Sequence, residues 1–305
     1  MGFLDAKTAS DFAEKIQSLY QSGMKRGDST GWPAMDDYYT VMPGQMSIVT
    51  GVPGMGKSEW LDALSTNLAL DGWKFCVFSP ENQPHELHIS KLVEKFCKKS
   101  FDIGKGDRIT SDDLAIAIGC IDMAYRFLTV NAQFVDQPSI KSVIHAASIE
   151  FQKWIDAGEE KLGLIIDPWN EMDHGRPANI SETEYISQTL SFVRQFARDW
   201  NIHVWIVAHP AKLQKDKEGK YPIPSLYDIS GSAHWRNKAD NGIVVHRDIM
   251  ANDSAVDVHI AKVRFKHIGR PGMVSLFYNK SNGCYECFGS EQHAMAAAHD
   301  REVEF

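Results

Sequence analysis

The stretch Gly51-Val52-Pro53-Gly54-Met55-Gly56-Lys57-Ser58 has the spacing G-x-x-x-x-G-K-[ST], which suits it to the phosphates of a nucleoside triphosphate. Gly51, Gly54 and Gly56 let backbone N–H groups crowd the phosphates, Lys57 reaches the terminal ones, and Ser58 supplies a hydroxyl to Mg²⁺. The helix expected to start there adds its positive end to the anion site. Hydrolysing a phosphoanhydride further needs a carboxylate for the metal, a base that orients water, and positive charge for the transition state. Asp167, closing the apolar run Leu162 to Ile166, has the position of the metal carboxylate in a Walker B strand, and a strand-end cap is the alternative. Glu81, after Lys74 to Ser79, is the expected base, with Glu171 as a weaker rival and a plain surface acid as the alternative. His209, after Ile202 to Val207, could hydrogen-bond the terminal phosphate and report its loss to the following loop, or be merely structural.

The elements that must position these residues follow from periodicity. Met46 to Thr50 is a short apolar strand, and Trp60, Leu61, Leu64 and Leu68 mark a helix behind the glycine loop. Residues 84 to 157 read as mostly helical, with Ser111-Asp112-Asp113 as an N-cap signal, a short apolar interruption from Phe127 to Val130, and Pro138-Ser139 opening another helix. A helix over about 181 to 200 precedes the strand ending at His209. Alternating strands and helices predict an α/β fold with a mostly parallel twisted sheet flanked by helices, and such sheets bind ligands beyond the carboxyl ends of their strands. Gly51 to Ser58, Glu81, Asp167 and His209 should therefore converge. Later strands are expected at 242 to 246, 256 to 264 and 273 to 278, the last two forming a hairpin around Gly269 and Gly272.

The chain has 305 residues, 43% hydrophobic and 24% charged, with a net charge of −8, which argues against a protein whose whole surface coats nucleic acid and leaves room for a local basic loop. Such a loop is present at 211 to 225, AKLQKDKEGKYPIPS, where Lys212, Lys215, Lys217 and Lys220 suit sequence-independent contact with phosphates, an ordinary solvated loop being the alternative. Five scattered cysteines point to a reducing compartment; the cytoplasm is preferred, with a mitochondrial matrix after processing as the other option. Cys284 and Cys287 lack a second pair at metal spacing and are expected to be structural. No apolar run approaches a membrane span, and the first residues lack the features of a signal peptide, so no membrane partner is expected.

As a set, the blocks GVPGMGKS, FSPEN, LGLIIDPWNEMDH, WIVAHPAK, SLYDISGSAHWRNKADNGIVVHRD, IAKVRFKHIGRPG and LFYNKSNG resemble the RecA-like hexameric replicative DNA helicases, in particular the phage primase-helicase and mitochondrial replicative helicase branch. The resemblance covers about Gly31 to Tyr285. It implies a RecA-like P-loop NTPase core with a C-terminal β-hairpin, hydrolysis of ATP or another NTP with Mg²⁺, and a homo-oligomeric ring, a hexamer in this family, translocating on single-stranded DNA. It implies further that Arg264 is an arginine finger reaching the neighbour's triphosphate, with Lys262 beside it, and that Arg247 and Tyr278 flank the base. By the same resemblance, the loop Lys212 to Lys220 and the segment Gly231 to Lys238 hold DNA in the channel, where Trp235 or Arg236 could add stacking or charge. A primase and a DNA polymerase are the partners it suggests, although no priming or zinc module precedes Gly31 in the sequence. The division expected is an N-terminal helical arm at 1 to 30, the ATPase at 31 to 290 and a frayed tail at 291 to 305. The arm's helix, with Phe12, Ile16, Leu19 and Tyr20 on one stripe, could pack on its own core or dock on a neighbouring subunit. Two other readings share the core: a recombinase-like protein whose ATP state gates DNA binding, and a nucleotide-dependent regulatory oligomer without unwinding activity.

Overall fold

A computed structural model describes residues 6–104, 106–130, 138–217, 219, 221–231, 233–248 and 254–288. Lys220, the first residues of the arm and the expected tail lie outside the described residues. Strands β1 (Met46–Thr50), β2 (Lys74–Phe78), β3 (Tyr125–Phe127), β4 (Leu162–Ile166), β5 (His203–Val207), β6 (Asn241–His246), β7 (Ala255–Val263), β8 (Gly272–Tyr278) and β9 (Tyr285–Cys287) form one sheet in the order β3-β2-β4-β5-β1-β6-β7-β8-β9. Pairings from β3 to β6 are parallel, and β6 through β9 run antiparallel.

The inner strands are buried end to end because helices cover both faces. Alternate side chains of β2 enter opposite cores. Phe75 and Val77 join Trp60, Leu64, Trp73, Tyr125 and Trp205 beneath α3 (Lys57–Leu70), α4 (His85–Cys97) and α5 (Ser111–Ala124). Cys76 and Phe78 join Ile166, Ile206, Phe151 and Leu190 beneath α6 (Ile140–Asp156) and α7 (Glu182–Asp199). Side-chain oxygens start two of these helices: Thr110 accepts the Asp113 N–H, one residue ahead of the expected cap signal, and Ser139 accepts that of Ser142.

Three expectations need adjustment. The apolar interruption after α5 is the edge strand β3, which begins at Tyr125 and pairs with β2. A further strand, β9, closes the sheet beyond the expected hairpin. The folded domain also begins before residue 31, since Asp28 pairs with Val41 and accepts the Trp73 indole N–H at 2.8 Å. The arm helix α1 (Ala13–Ser22) buries none of its residues, so its stripe does not pack on the core of its own chain. Two short α-helices, α2 (Pro33–Asp36) and α8 (His234–Lys238), and two 3-10 turns, Ala9–Phe12 and Trp169–Glu171, complete the elements among the described residues.

Candidate nucleotide site

The glycine loop leaves β1 at Thr50 and enters α3 at Lys57. Glycine is required at its first position, because a Cβ on Gly51 would sit 2.2 Å from the Val245 carbonyl oxygen of β6. Gly56 caps α3 with a left-handed φ of 88°, which a residue with a Cβ would adopt only with strain. Lys57 Nζ donates to the loop's own carbonyls, Gly51 O at 3.1 Å and Val52 O at 3.4 Å, so the ammonium lies over the phosphate cradle. Burial lowers its pKa, against the opposing pull of Asp167 and Glu81.

Asp167 follows β4 and is buried; its N–H donates to Phe78 O at 2.9 Å, and the Ser58 hydroxyl lies close enough to its carboxylate to lower its pKa. Burial pushes its pKa up to about 6, and the nearby Ser58 hydroxyl offsets this only in part. A hydroxyl and a buried carboxylate short of positive charge form a hard-oxygen donor set that suits Mg²⁺. Glu81 lies exposed at the tip of β2, with a pKa raised first by desolvation and then by Glu171, while Lys57 opposes the rise. His209 follows β5, half-buried. Burial and then the Lys57 charge bring its pKa down to about 4, leaving a neutral ring that can hydrogen-bond a phosphate. Its backbone N–H donates to Asn170 Oδ1 at 3.0 Å, and Thr50 Oγ1 donates to Ala208 O at 2.7 Å, so the ends of β1, β4 and β5 are tied side by side. The convergence expected of Gly51 to Ser58, Glu81, Asp167 and His209 is what the sheet produces. Asn170 and Tyr285 were not anticipated. Tyr285, in β9, brings its hydroxyl to 3.5 Å from Gly56 O, and no local pattern marks so short a strand. Arg247 and Tyr278 reach this same edge, close enough for the Arg247 charge to act on Tyr278 and Tyr285.

Arg264 and Lys262 do not. β7 runs antiparallel to β6 and pairs Val263 with Asn241, which itself pairs with Ser47 near the start of β1. Arg264 therefore sits at the other edge of the sheet, separated from its own phosphate loop by the length of β1, roughly 15 Å at about 3.3 Å per residue. There its Nη1 donates to the buried Asp240 Oδ1 at 2.9 Å with the side chain 41% exposed. Lys262 Nζ is committed to the carbonyls of Arg236 and Ala239, both at 2.6 Å, at the end of α8.

The expected DNA contacts divide. Lys212, Lys215 and Lys217 are exposed on a loop without regular structure, and this loop lines a cavity of about 180 Å³ together with Val52 and Pro53 of the phosphate loop. Arg236 stacks on the exposed Tyr227, 5.1 Å from its ring centroid. Trp235 requires a correction: it is fully buried, packs edge-on against Trp169 at 5.2 Å and donates its indole N–H to Ser230 O, so it cannot stack on a base. Cys284 and Cys287 flank Tyr285, and the Cys284 thiol lies 3.7 Å from Lys95 O.

Comparison with known families agrees with this geometry: the profile of the DnaB-like helicase C terminal domain matches residues 27–286. The chain belongs to that family. The Twinkle homolog protein, chloroplastic/mitochondrial, of Arabidopsis thaliana is 39% identical over 285 residues, which are 90% of this chain and 39% of that protein, so the chain spans well under half the length of this curated relative. Among solved structures, one described as an ATPase domain superposes with a TM-score of 0.76 at 20% identity, covering 93% of this chain and 100% of that one. A DnaB-like replicative helicase, described with its interactions with primase, superposes at 0.72 and 20% identity, covering 93% and 68%. At that identity the two structures speak for the fold, that of a RecA-like ATPase domain. A DnaB-like ATPase domain is a nucleotide-binding domain, and the Gly51–Ser58 loop, Asp167 and Glu81 occupy the strand tips where such chemistry is built. No described helix is long and apolar enough to cross a membrane.

Proposed function

We propose that this chain is the motor of a ring-forming replicative DNA helicase, which hydrolyses ATP with Mg²⁺ between subunits and translocates on single-stranded DNA. The observation that supports this most is the division of charged groups between the two edges of the sheet. Lys57, Ser58, Glu81, Asp167 and His209 gather at one edge, while the partly exposed Arg264 stands at the other, out of reach of its own phosphate loop. A ring puts the second edge of one subunit against the first edge of the next, and Arg264 then completes the neighbour's site.

In the mechanism, the backbone N–H groups of residues 51 to 58 and the Lys57 ammonium hold the β- and γ-phosphates. Ser58 and Asp167 hold Mg²⁺, which when bound neutralises charge on the phosphate oxygens. Glu81, whose carboxyl is raised above its ordinary value and which stands at the tip of β2 close enough to feel the Lys57 charge, orients the attacking water and accepts its proton. The neighbour's Arg264 gives up its part-buried pairing with Asp240 and meets the charge that develops on the transferred phosphoryl group. His209, neutral and anchored through Asn170, senses the γ-phosphate and passes its loss to the residues that follow in the chain, Lys212 to Lys217, which contact the DNA backbone. Because the same loop lines a cavity with Val52 and Pro53, a shift of the phosphate loop reaches it directly. A primase is the partner suggested by the DnaB-like structural relative, and a DNA polymerase would follow from a replicative role. Free cysteines suit a reducing compartment, either cytoplasm or an organelle matrix.

Electron microscopy with a non-hydrolysable ATP analogue and oligo-dT tests this reading. A closed ring threaded by the single strand is expected. A helical filament on DNA, or rings that exclude DNA, would overturn it.

A further inference from the structure

One turn along α3 from Ser58, on the same face, lies Asp62. It is 6% exposed, and only one of its carboxylate oxygens has a hydrogen-bond partner: Oδ1 pairs with His88 Nε2 of α4 at 3.0 Å, whereas Oδ2 has none. His88 is 2% exposed, and its Nδ1 is likewise without a partner. A buried carboxylate oxygen left unpaired carries a desolvation penalty that a purely structural tie between two helices has no reason to keep. The surroundings point to a use for it. The Asp62 charge acts on Asp167, which lies near Ser58, and the Asp167 charge acts in turn on His88. Two buried carboxylates, Asp62 and Asp167, thus share one region with the buried Lys57 ammonium, already committed to the carbonyls of Gly51 and Val52, and with the His88 imidazole. Burial works against a charged His88, yet the Asp62 carboxylate holds its pKa above the ordinary histidine value, so the pair resembles the oriented acid and imidazole found behind metal ligands.

We propose that Asp62, held by His88, positions the magnesium of the bound nucleotide, its free oxygen accepting from the cation's hydration waters behind Ser58 and Asp167. Mg²⁺ keeps several of its waters when bound by one or two protein ligands, so acceptors for those waters set its affinity as well as its place. Asp62 is a positioning residue here, acting through the waters and through Asp167. The inference rests on the reading that Ser58 and Asp167 hold Mg²⁺.

The test is binding of mant-ADP by the full chain, in EDTA and over a Mg²⁺ titration, with melting curves for every variant. Wild-type protein should bind more tightly as Mg²⁺ is added. Asp62→Asn should keep its EDTA affinity while the Mg²⁺ concentration for half-maximal tightening rises about tenfold or more. His88→Gln, which keeps an N–H for Oδ1 and disturbs the fold less, should show a smaller rise in the same direction, again without change in EDTA. Wild-type Mg²⁺ dependence in both variants would overturn the inference, as would an equal loss in EDTA and in Mg²⁺, the mark of a structural tie. Wild-type protein whose ADP affinity ignores Mg²⁺ would remove the Ser58 and Asp167 site, and the inference with it.

Discussion

The two edges of the sheet differ in how they acquire their chemistry. At the phosphate-loop edge each group follows a parallel strand directly: Gly51 follows β1, Asp167 follows β4, Glu81 comes shortly after β2 and His209 shortly after β5. Parallel strands all end on the same side, so residues far apart in the chain meet there without further instruction. The opposite edge receives Arg264 only because β7 turns back antiparallel along β6. There Arg264 shares the buried Asp240 carboxylate with Arg198, and Lys262 is bound into α8. One edge therefore gathers the proposed nucleotide site, and the other carries the arginine proposed to complete the site of a neighbour.

The sharpest way to break this comparison is Arg264→Ala, expected to lower turnover about 10³-fold or more while nucleotide binding persists. Mixing it with inactive Lys57→Ala subunits should restore some hydrolysis, since an interface can then combine an intact loop with an intact finger. If mixed oligomers form and no ratio recovers activity, the two edges do not share a site. Next is Glu81→Gln, expected to cut steady-state hydrolysis about 10²- to 10⁴-fold with nucleotide affinity retained, whereas Lys57→Ala loses both. Near-normal turnover in Glu81→Gln would move the base elsewhere, with Glu171 the first candidate.

Within the region proposed to face DNA, Trp235→Ala should cost about 3–5 kcal/mol of stability by emptying a core position. Arg236→Ala, next to it and partly exposed, should change the denaturation midpoint little. A Trp235 variant that melts normally but binds DNA poorly would reinstate it as a contact. Replacing Lys212, Lys215 and Lys217 by alanine should weaken single-stranded DNA binding and flatten its salt dependence by about 0.7 per lost phosphate contact, with basal hydrolysis preserved. Unchanged DNA affinity would make the loop a plain solvated one.

The smallest effect expected is on pH-dependent stability, away from the nucleotide. His203, fully buried at the start of β5, donates Nδ1–H to Met42 O at 2.7 Å and accepts from the Ser47 hydroxyl at 2.8 Å. Burial brings its pKa down to about 4, against an unfolded value of about 6.5. The unfolded chain binds the proton more readily, so the contribution of His203 is complete above about pH 6.5 and is lost as pH falls toward 4. Urea midpoints at pH 7 and pH 5 should differ less in His203→Gln than in wild type; an unchanged difference would assign the acid sensitivity to other groups.

The elements legible in the sequence alone follow local rules. β1 and β4 were delimited at Met46–Thr50 and Leu162–Ile166 because doubly covered strands are continuous apolar runs between polar ends. Less legible were β3 and β9, three residues each, whose strand character comes from a neighbouring strand. Trp235 misled because it lies among His234, Arg236 and Lys238 in the sequence, and its burial depends on Trp169, which arrives from the tip of another strand.

By itself, then, the sequence determined the phosphate loop, the order of strands and helices, and the acids and histidine at the strand tips, because each of these depends on residues close in the chain and on the common direction of parallel strands. The tertiary structure alone decided that Arg264 stands across the sheet from its own loop, that Tyr285 closes on Gly56, that Asn170 anchors His209, and that Asp62 meets His88 behind Ser58. The physical reason is the same for all four. Each is a spatial relation between residues far apart in the chain, set by sheet register and helix packing, which no local pattern of residue types encodes.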